Sequence, residues 1–327
     1  MLKIAIAGVG AMGSLLAAYL APQTNVLLFG HWPEQIAALN NADLSVQIPG
    51  KGVFRQQVHA ANDPANLGKP DILLIVVKST QTTTVSEELV PHLPKSTTII
   101  TLQNGLGNWE KLTAVFPHNP VTSGVTALGA TMLSPGHIQQ AGFGATHLTV
   151  SDNMHPTTAV ILQQFAHILN NAGLETHLSQ DVDGLVWGKL AINAAINPLT
   201  AILQKHNGYL LEDATMCALM WAAAEEAAHL AIFLGIELPY RDVQKQVTAV
   251  AHTTALNYSS MLQDIQRGVP TEIDSICGAV VRNGSRVNYP TPINAQLFEI
   301  VKNLECNKID AQQAQSMLEH WLQSEAT

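Results

Sequence analysis

Lys189, Asn193 and Asn197 stand four residues apart in a segment, Trp187 to Ala201, that is otherwise almost wholly apolar. On a helix of 3.6 residues per turn this i, i+4, i+8 spacing puts all three on one face, with a drift of about 80° end to end. An amine in such surroundings is costly to bury unless it is paired or does chemistry. Desolvation also lowers a lysine pKa, which makes a better proton donor near neutral pH. Read without any other part of the chain, the same spacing also fits a polar stripe on a buried helix packed against a second domain.

A second constellation lies at the start of the chain. Gly8-Val9-Gly10-Ala11-Met12-Gly13 is a full GxGxxG, directly after the apolar run Lys3–Ala7 and at the head of a small-residue helix through Ala21. In that context the first glycine permits a tight turn and the second lets the backbone approach a pyrophosphate. The third allows helix and strand to pack closely, and the helix N-terminus faces the phosphate charge. Whether the dinucleotide carries a 2′-phosphate should show at the end of the next strand, Asn25–Phe29. An NAD-binding chain usually carries Asp or Glu there, whereas this one reads Leu28-Phe29-Gly30-His31, with Glu34 the first carboxylate along the chain. That absence favours NADPH. His31 has two readings, a contact to adenine or 2′-phosphate and an ordinary loop histidine.

The elements that must position these groups follow an alternating plan. Further apolar strands are expected over 71–77, 97–102 and 121–128, and helices from Pro33 and over His155–Ala172. Such strands belong in a parallel sheet buried on both faces, hence in a doubly wound α/β domain. Beyond residue 181 the pattern is helical, over 184–203, 212–234, 239–267, 272–283 and about 292–322. The expected fold is therefore α/β, an N-terminal Rossmann-type doubly wound parallel sheet followed by an all-α C-terminal domain. The domains are expected to be 1–178, binding the dinucleotide, and 179–327, holding substrate. Lys78 and Gln103-Asn104-Gly105 fall at the carboxyl ends of two strands, where ligands of such sheets bind.

Composition limits the alternatives. The chain has 327 residues, 47% apolar and 13% charged, with a formal charge of −9 and no basic run, which argues against nucleic acid or an anionic membrane as partner. Three cysteines far apart, with no CxxC, fit reduced thiols in a cytoplasmic protein. Thirteen histidines are scattered with no two within four residues, so no metal is expected. Residues 184–203 are long enough to span a bilayer, yet a central lysine costs about 2.5–3.5 kcal/mol on insertion, and a buried helix of a soluble protein is the expectation.

Taken in order, the motifs resemble the ketopantoate reductase family. They are the GxGxxG turn, Val77-Lys78-Ser79-Thr80-Gln81-Thr82, Leu102-Gln103-Asn104-Gly105, Lys189 through Ala201, Ser259 through Asp264, and Thr271-Glu272-Ile273-Asp274. The resemblance implies NADPH-dependent reduction of 2-dehydropantoate to (R)-pantoate, on the way to pantothenate and coenzyme A. It assigns Lys189 as proton donor to the ketone oxygen and Glu272 to the cofactor and substrate hydroxyls. Asn193, Asn197 and Asn207 would hold the substrate, with Ser260 at its carboxylate and Asn257 nearby on the same helix face. Gly8 to Gly13, Lys78 and Asn104 would meet the cofactor, Asn104 also the substrate, and Ala130 would lie beside the nicotinamide. Thr271-x-x-Asp274 also reads as a capping box with Glu272 in a first helical turn. His31 stands where relatives tend to carry arginine, which bears on the strength of NADPH preference. The alternatives are a reductase for another small 2-keto acid and a non-catalytic dinucleotide sensor. A homodimer is compatible with the reading.

Overall fold

The computed structural model describes residues 1–325, which form two compact units: residues 1–103 with 108–182, and residues 104–107 with 183–325. The first unit runs β1 (Lys3–Ala7), α1 (Ala11–Leu20), β2 (Asn25–Phe29), α2 (Pro33–Asn41), β3 (Leu44–Ile48), β4 (Gly52–Gln56), β5 (His59–Ala61), β6 (Ile72–Ile75), α3 (Thr82–Leu89), β7 (Thr98–Thr101), α4 (Asn108–Val115), β8 (Val121–Ser134), β9 (His137–Thr149), α5 (Pro156–Asn171) and β10 (Thr176–Ser179). The strands make one sheet in the order β4-β3-β9-β8-β7-β6-β1-β2-β5, with β10 paired to β9.

Six neighbours, β5-β2-β1-β6-β7-β8, are all mutually parallel. Their central members β6 and β7 are buried along their whole length, as strands covered on both faces must be. The chain departs from β1 to one side through β2 and to the other through β6, so a crevice opens between the carboxyl ends of β1 and β6.

The sheet is larger than the sequence pattern suggests. β8 continues to Ser134 and folds back antiparallel on β9, where the sequence offers an expected strand only to Leu128. Gly129 and Gly142 face each other across this ladder so closely that a Cβ on Gly142 would meet the Gly129 nitrogen at 2.6 Å. These glycines mark irregular pairing between close strands.

The second unit contains α6 (Asp183–Leu203), α7 (Ala214–Phe233), α8 (Val243–Thr253), α9 (Ser260–Gln266), α10 (Cys277–Arg286), α11 (Pro292–Glu305) and α12 (Ala311–Glu325). α6 forms its spine: Leu190, Ala191, Ala194, Ala195, Leu199 and Ile202 are all at most 1% exposed within one apolar cluster. Both α6 and α7 are long and apolar enough by composition to cross a membrane.

Two expected helices are each two helices. The stretch 239–267 breaks at 254–259, where Ser259 accepts from the Leu262 N–H and caps α9, a break with neither glycine nor proline to announce it. The stretch 292–322 breaks after Cys306, with Asn307 at φ 54°. Beyond it α12 packs Ala314 and Leu318 into the core. Its Gln315 side chain donates to the Ile202 and Leu203 carbonyls at the end of α6, satisfying acceptors that a helix terminus leaves open.

Candidate active site

The Lys189 face of α6 forms as its spacing requires. Gly188 gives the chain 239–240 room to approach, since a Cβ there would meet Pro239 Cδ at 2.8 Å. Tyr240 donates its phenol to the Gly188 carbonyl at 2.8 Å, and burial pushes that phenol up to about 12. Lys189 itself is half-buried as a residue, but its amine is enclosed by protein atoms, and desolvation pushes it down to about 8. The negative charge of Glu272 acts in the opposite direction.

Glu272 is 6% exposed, and its carboxylate accepts from Asn104 Nδ2 at 3.2 Å. Asn104 belongs to the short segment 104–107, whose backbone is locked to the turn after Glu272. The Leu106 N–H donates to the Ser275 carbonyl at 2.9 Å. Gly105, at φ +79°, sits so close that a Cβ would lie 2.2 Å from that same oxygen. Only glycine combines this φ with that approach.

Along the same face of α6, Asn193 is half-buried and Asn197 is 8% exposed. Among the described residues neither carboxamide makes a hydrogen bond within the protein, so both are left to a ligand or to water. Thr200, one turn on, donates its hydroxyl to Ser259 Oγ at 2.7 Å, fastening the start of α9 to α6.

Asn207 is 7% exposed; its Nδ2 donates to Thr254 Oγ1 at 2.9 Å while its Oδ1 is buried without a partner. The Asn207 N–H donates to the Asn257 carbonyl at 3.0 Å, so those two positions meet. Asn257 does not share a helix face with Ser260, as the sequence suggests: the capping role of Ser259 ends the helix before it, and Asn257 lies in the 254–259 connection. Ser260 is the first residue of α9, with an exposed side chain.

The capping box at Thr271 is absent too. The Thr271 hydroxyl and N–H both go to Glu305 Oε2, at 2.7 and 3.0 Å, and Asp274 instead accepts from Lys302 at 3.0 Å. α10 begins only at Cys277, so Glu272 lies in an irregular turn rather than in a first helical turn.

In the first unit the glycine turn has the shape its spacing implies. Gly8 takes φ +131°, and a Cβ there would press on the Val76 and Val77 backbone at 3.1 Å. A Cβ on Gly13 would fall 1.8 Å from the Gly8 carbonyl, whereas around Gly10 nothing lies within 4 Å. The turn is therefore tight on its protein side and open at Gly10, where a pyrophosphate would approach. Val9 is buried, and Ala11 and Met12 are half-buried. Ala130, on β8 beyond its pairing with β7, borders the same apolar cluster as these residues. Lys78 lies three residues past β6, its carbonyl accepting from the Gln81 N–H at 2.8 Å. Gln103 Nε2 ties this loop to the end of β7 by donating to the Val77 carbonyl at 2.7 Å and to Thr82 Oγ1 at 2.8 Å.

Comparison with known proteins places these features. The family model described as ketopantoate reductase PanE/ApbA matches residues 4–153, and the model of its C-terminal part matches 181–305. The chain belongs to the ketopantoate reductase family. A 2-dehydropantoate 2-reductase of Archaeoglobus fulgidus is 31% identical over 93% of this chain and 98% of its own. A ketopantoate reductase structure from Ralstonia eutropha aligns with TM-score 0.84 at 30% identity, over 93% of this chain and 99% of that one. A D-mandelate dehydrogenase solved with NADH and anilino(oxo)acetate aligns with TM-score 0.85 at 27% identity over the same shares. Ketopantoate reductase relatives thus share both units with this chain.

One charged group at the dinucleotide end escaped the sequence reading. His31 Nε2 lies 2.7 Å from Glu88 Oε2, so the end of β2 has a carboxylate in space although it has none in sequence. The 57 residues between them leave no local signal. Ser259 and Thr200 were likewise unflagged; the adjacent serines 259 and 260 were the only hint.

Proposed function

We propose that this protein reduces 2-dehydropantoate to (R)-pantoate, with NADPH as the reductant. The observation that carries the reading is the face of α6. An enclosed lysine amine, its pKa brought down to about 8, shares that face with Asn193 and Asn197, whose carboxamides make no hydrogen bond among the described residues.

Gly8–Gly13 would hold the pyrophosphate of a nicotinamide dinucleotide, which when bound would supply a hydride to the C2 carbonyl. Lys189 stabilises the charge growing on that oxygen and gives it a proton, a transfer favoured when the donor pKa lies near the working pH. Glu272 keeps the amine protonated between turnovers, and Asn104, bonded to that carboxylate, holds it in place. Asn193 and Asn197 hold the substrate's polar groups, with Asn207, Asn257 and Ser260 extending the polar lining. Lys78 and His31 meet cofactor charge, and Ala130 leaves space at the nicotinamide. A sensor without chemistry has no use for an enclosed, depressed lysine beside unsatisfied amides.

The test follows NADPH absorbance with 2-dehydropantoate, with NADH and other 2-keto acids run in parallel. Rapid oxidation with dehydropantoate supports the reading; oxidation only with another keto acid replaces the substrate. That second reading is favoured by the likeness to a mandelate dehydrogenase, which shows that the fold also serves a different 2-hydroxy acid.

A further inference from the structure

The end of β2 is where a doubly wound domain meets the adenosine ribose, and the charge there selects between a free 2′-hydroxyl and a 2′-phosphate. In this protein the imidazole of His31 is held from two sides. Phe29, the last residue of β2, meets it edge to face, with ring centres 5.2 Å apart at 83°. Glu88, on the second turn of α3, approaches its Nε2 at 2.7 Å with about a third of its own side chain exposed. The strand-end side chain that would meet a 2′-phosphate is thus already paired with an internal carboxylate.

We infer that Glu88 is a specificity-determining residue that penalises the 2′-phosphate and admits the unphosphorylated ribose. It does so in two ways. Its carboxylate engages the one nitrogen of His31 that faces α3, which leaves less of the ring's donor capacity for a phosphate. Its charge also repels a phosphate dianion at the strand end, while a ribose hydroxyl can donate to a carboxylate. NADPH preference is accordingly held down by a residue far from the glycine turn in sequence. This rests on the dinucleotide reading of Gly8–Gly13, though not on the identity of the keto acid.

The experiment measures calorimetric dissociation constants of NADPH and NADH, at fixed pH and ionic strength, for wild type and three variants. Glu88→Gln should raise the preference for NADPH about tenfold, the scale of one like charge removed at a partly exposed site. His31→Leu, which strips the imidazole and leaves the carboxylate, should move the ratio the other way. Glu87→Gln, which removes the exposed neighbouring charge on the same helix, should leave it where it was. Opposite shifts cannot arise from general damage to the fold. An unchanged ratio in Glu88→Gln, an equal shift in Glu87→Gln, or the same direction in both pair variants would overturn the inference. If wild type binds neither nucleotide, the dinucleotide reading and this inference fall together. If it binds them but does not turn over dehydropantoate, only the substrate reading falls and the ratios still decide this one.

Discussion

The thiol of Cys277 lies 3.6 Å from the carbonyl of Ala194 and donates to it, and that oxygen is the one Pro198 leaves without its helical partner. Proline has no N–H to return to the residue four earlier, yet α6 runs unbroken from 183 to 203. A buried carbonyl without a donor costs free energy comparable to a lost hydrogen bond. Cys277 is fully buried, and burial holds its thiol protonated, well above the usual range. It acts as a donor inside the core rather than as a reactive group.

Removing that donor should therefore destabilise the helical unit in proportion to what Pro198 took away. Cys277→Ala is expected to cost about 1–3 kcal/mol, combining a small cavity with an unsatisfied acceptor. In a Pro198→Ala background the backbone N–H returns, and the cost of Cys277→Ala should shrink by about 0.5–1 kcal/mol. Urea denaturation of the four proteins in this cycle measures the coupling, and strictly additive losses would contradict the account.

Lys189 should trade stability for turnover. Its folded pKa of about 8 lies below the unfolded value of 10.5, so the folded protein binds fewer protons than the unfolded chain between those values. The penalty for enclosing the cation is full below pH 8 and fades as pH climbs towards 10.5. Lys189→Met should accordingly unfold at higher denaturant than wild type at pH 7, by about 1–3 kcal/mol, with the gap narrowing by pH 10. Dehydropantoate reduction should fall by several orders of magnitude while NADPH affinity stays near wild type. Retained turnover in this variant would remove Lys189 from the chemistry.

The pH profile carries a separate prediction. A proton donor must be protonated, so reduction should decline as pH rises through about 8. Glu272 supports the cation; in Glu272→Gln that support is gone and the declining limb should move to lower pH. A limb that stays in place, with only its height reduced, would mean that Glu272 acts on substrate or cofactor without tuning the lysine.

How much of this was legible from residues alone depends on whether a signal is local. Five of the six parallel strands and the glycine turn were legible, because buried β-strands and tight βα turns are written in five to ten consecutive residues; the three-residue β5 (His59–Ala61) was too short to show. The Lys189, Asn193, Asn197 face was legible because helical periodicity fixes it. β9 was hidden, since Gly142 and Gly144, which serve close approach across a ladder, weaken the pattern of a strand. The break between α8 and α9 was hidden by a connection, 254–259, without glycine or proline. Asn104 bonding Glu272 spans 168 residues and His31 meeting Glu88 spans 57; neither distance leaves a pattern. Thr271 makes no capping box with Asp274, since its hydroxyl donates to Glu305 of another helix and accepts from the Ile273 N–H instead.

The glycine turn gives the sharpest contrast between folding and binding, because two glycines three apart are held for different reasons. A Cβ at Gly13 would sit 1.8 Å from the Gly8 carbonyl, an overlap that only movement of strand or helix can relieve. Gly13→Ala should therefore lose about 1–3 kcal/mol or more of stability, with nucleotide binding lost as a consequence. Gly10 has φ −69° and no atom within 4 Å of its Cβ position, so alanine there fits the backbone and the protein. Gly10→Ala should keep its thermal midpoint, within about 0.5 kcal/mol of wild type, and yet weaken NADPH at least about tenfold, because the methyl occupies the side left open for a pyrophosphate. Differential scanning calorimetry and nucleotide titration on both variants separate the two effects. If Gly10→Ala binds NADPH as tightly as wild type, the pyrophosphate does not pass over Gly10 and the turn serves only the packing of α1 on β1.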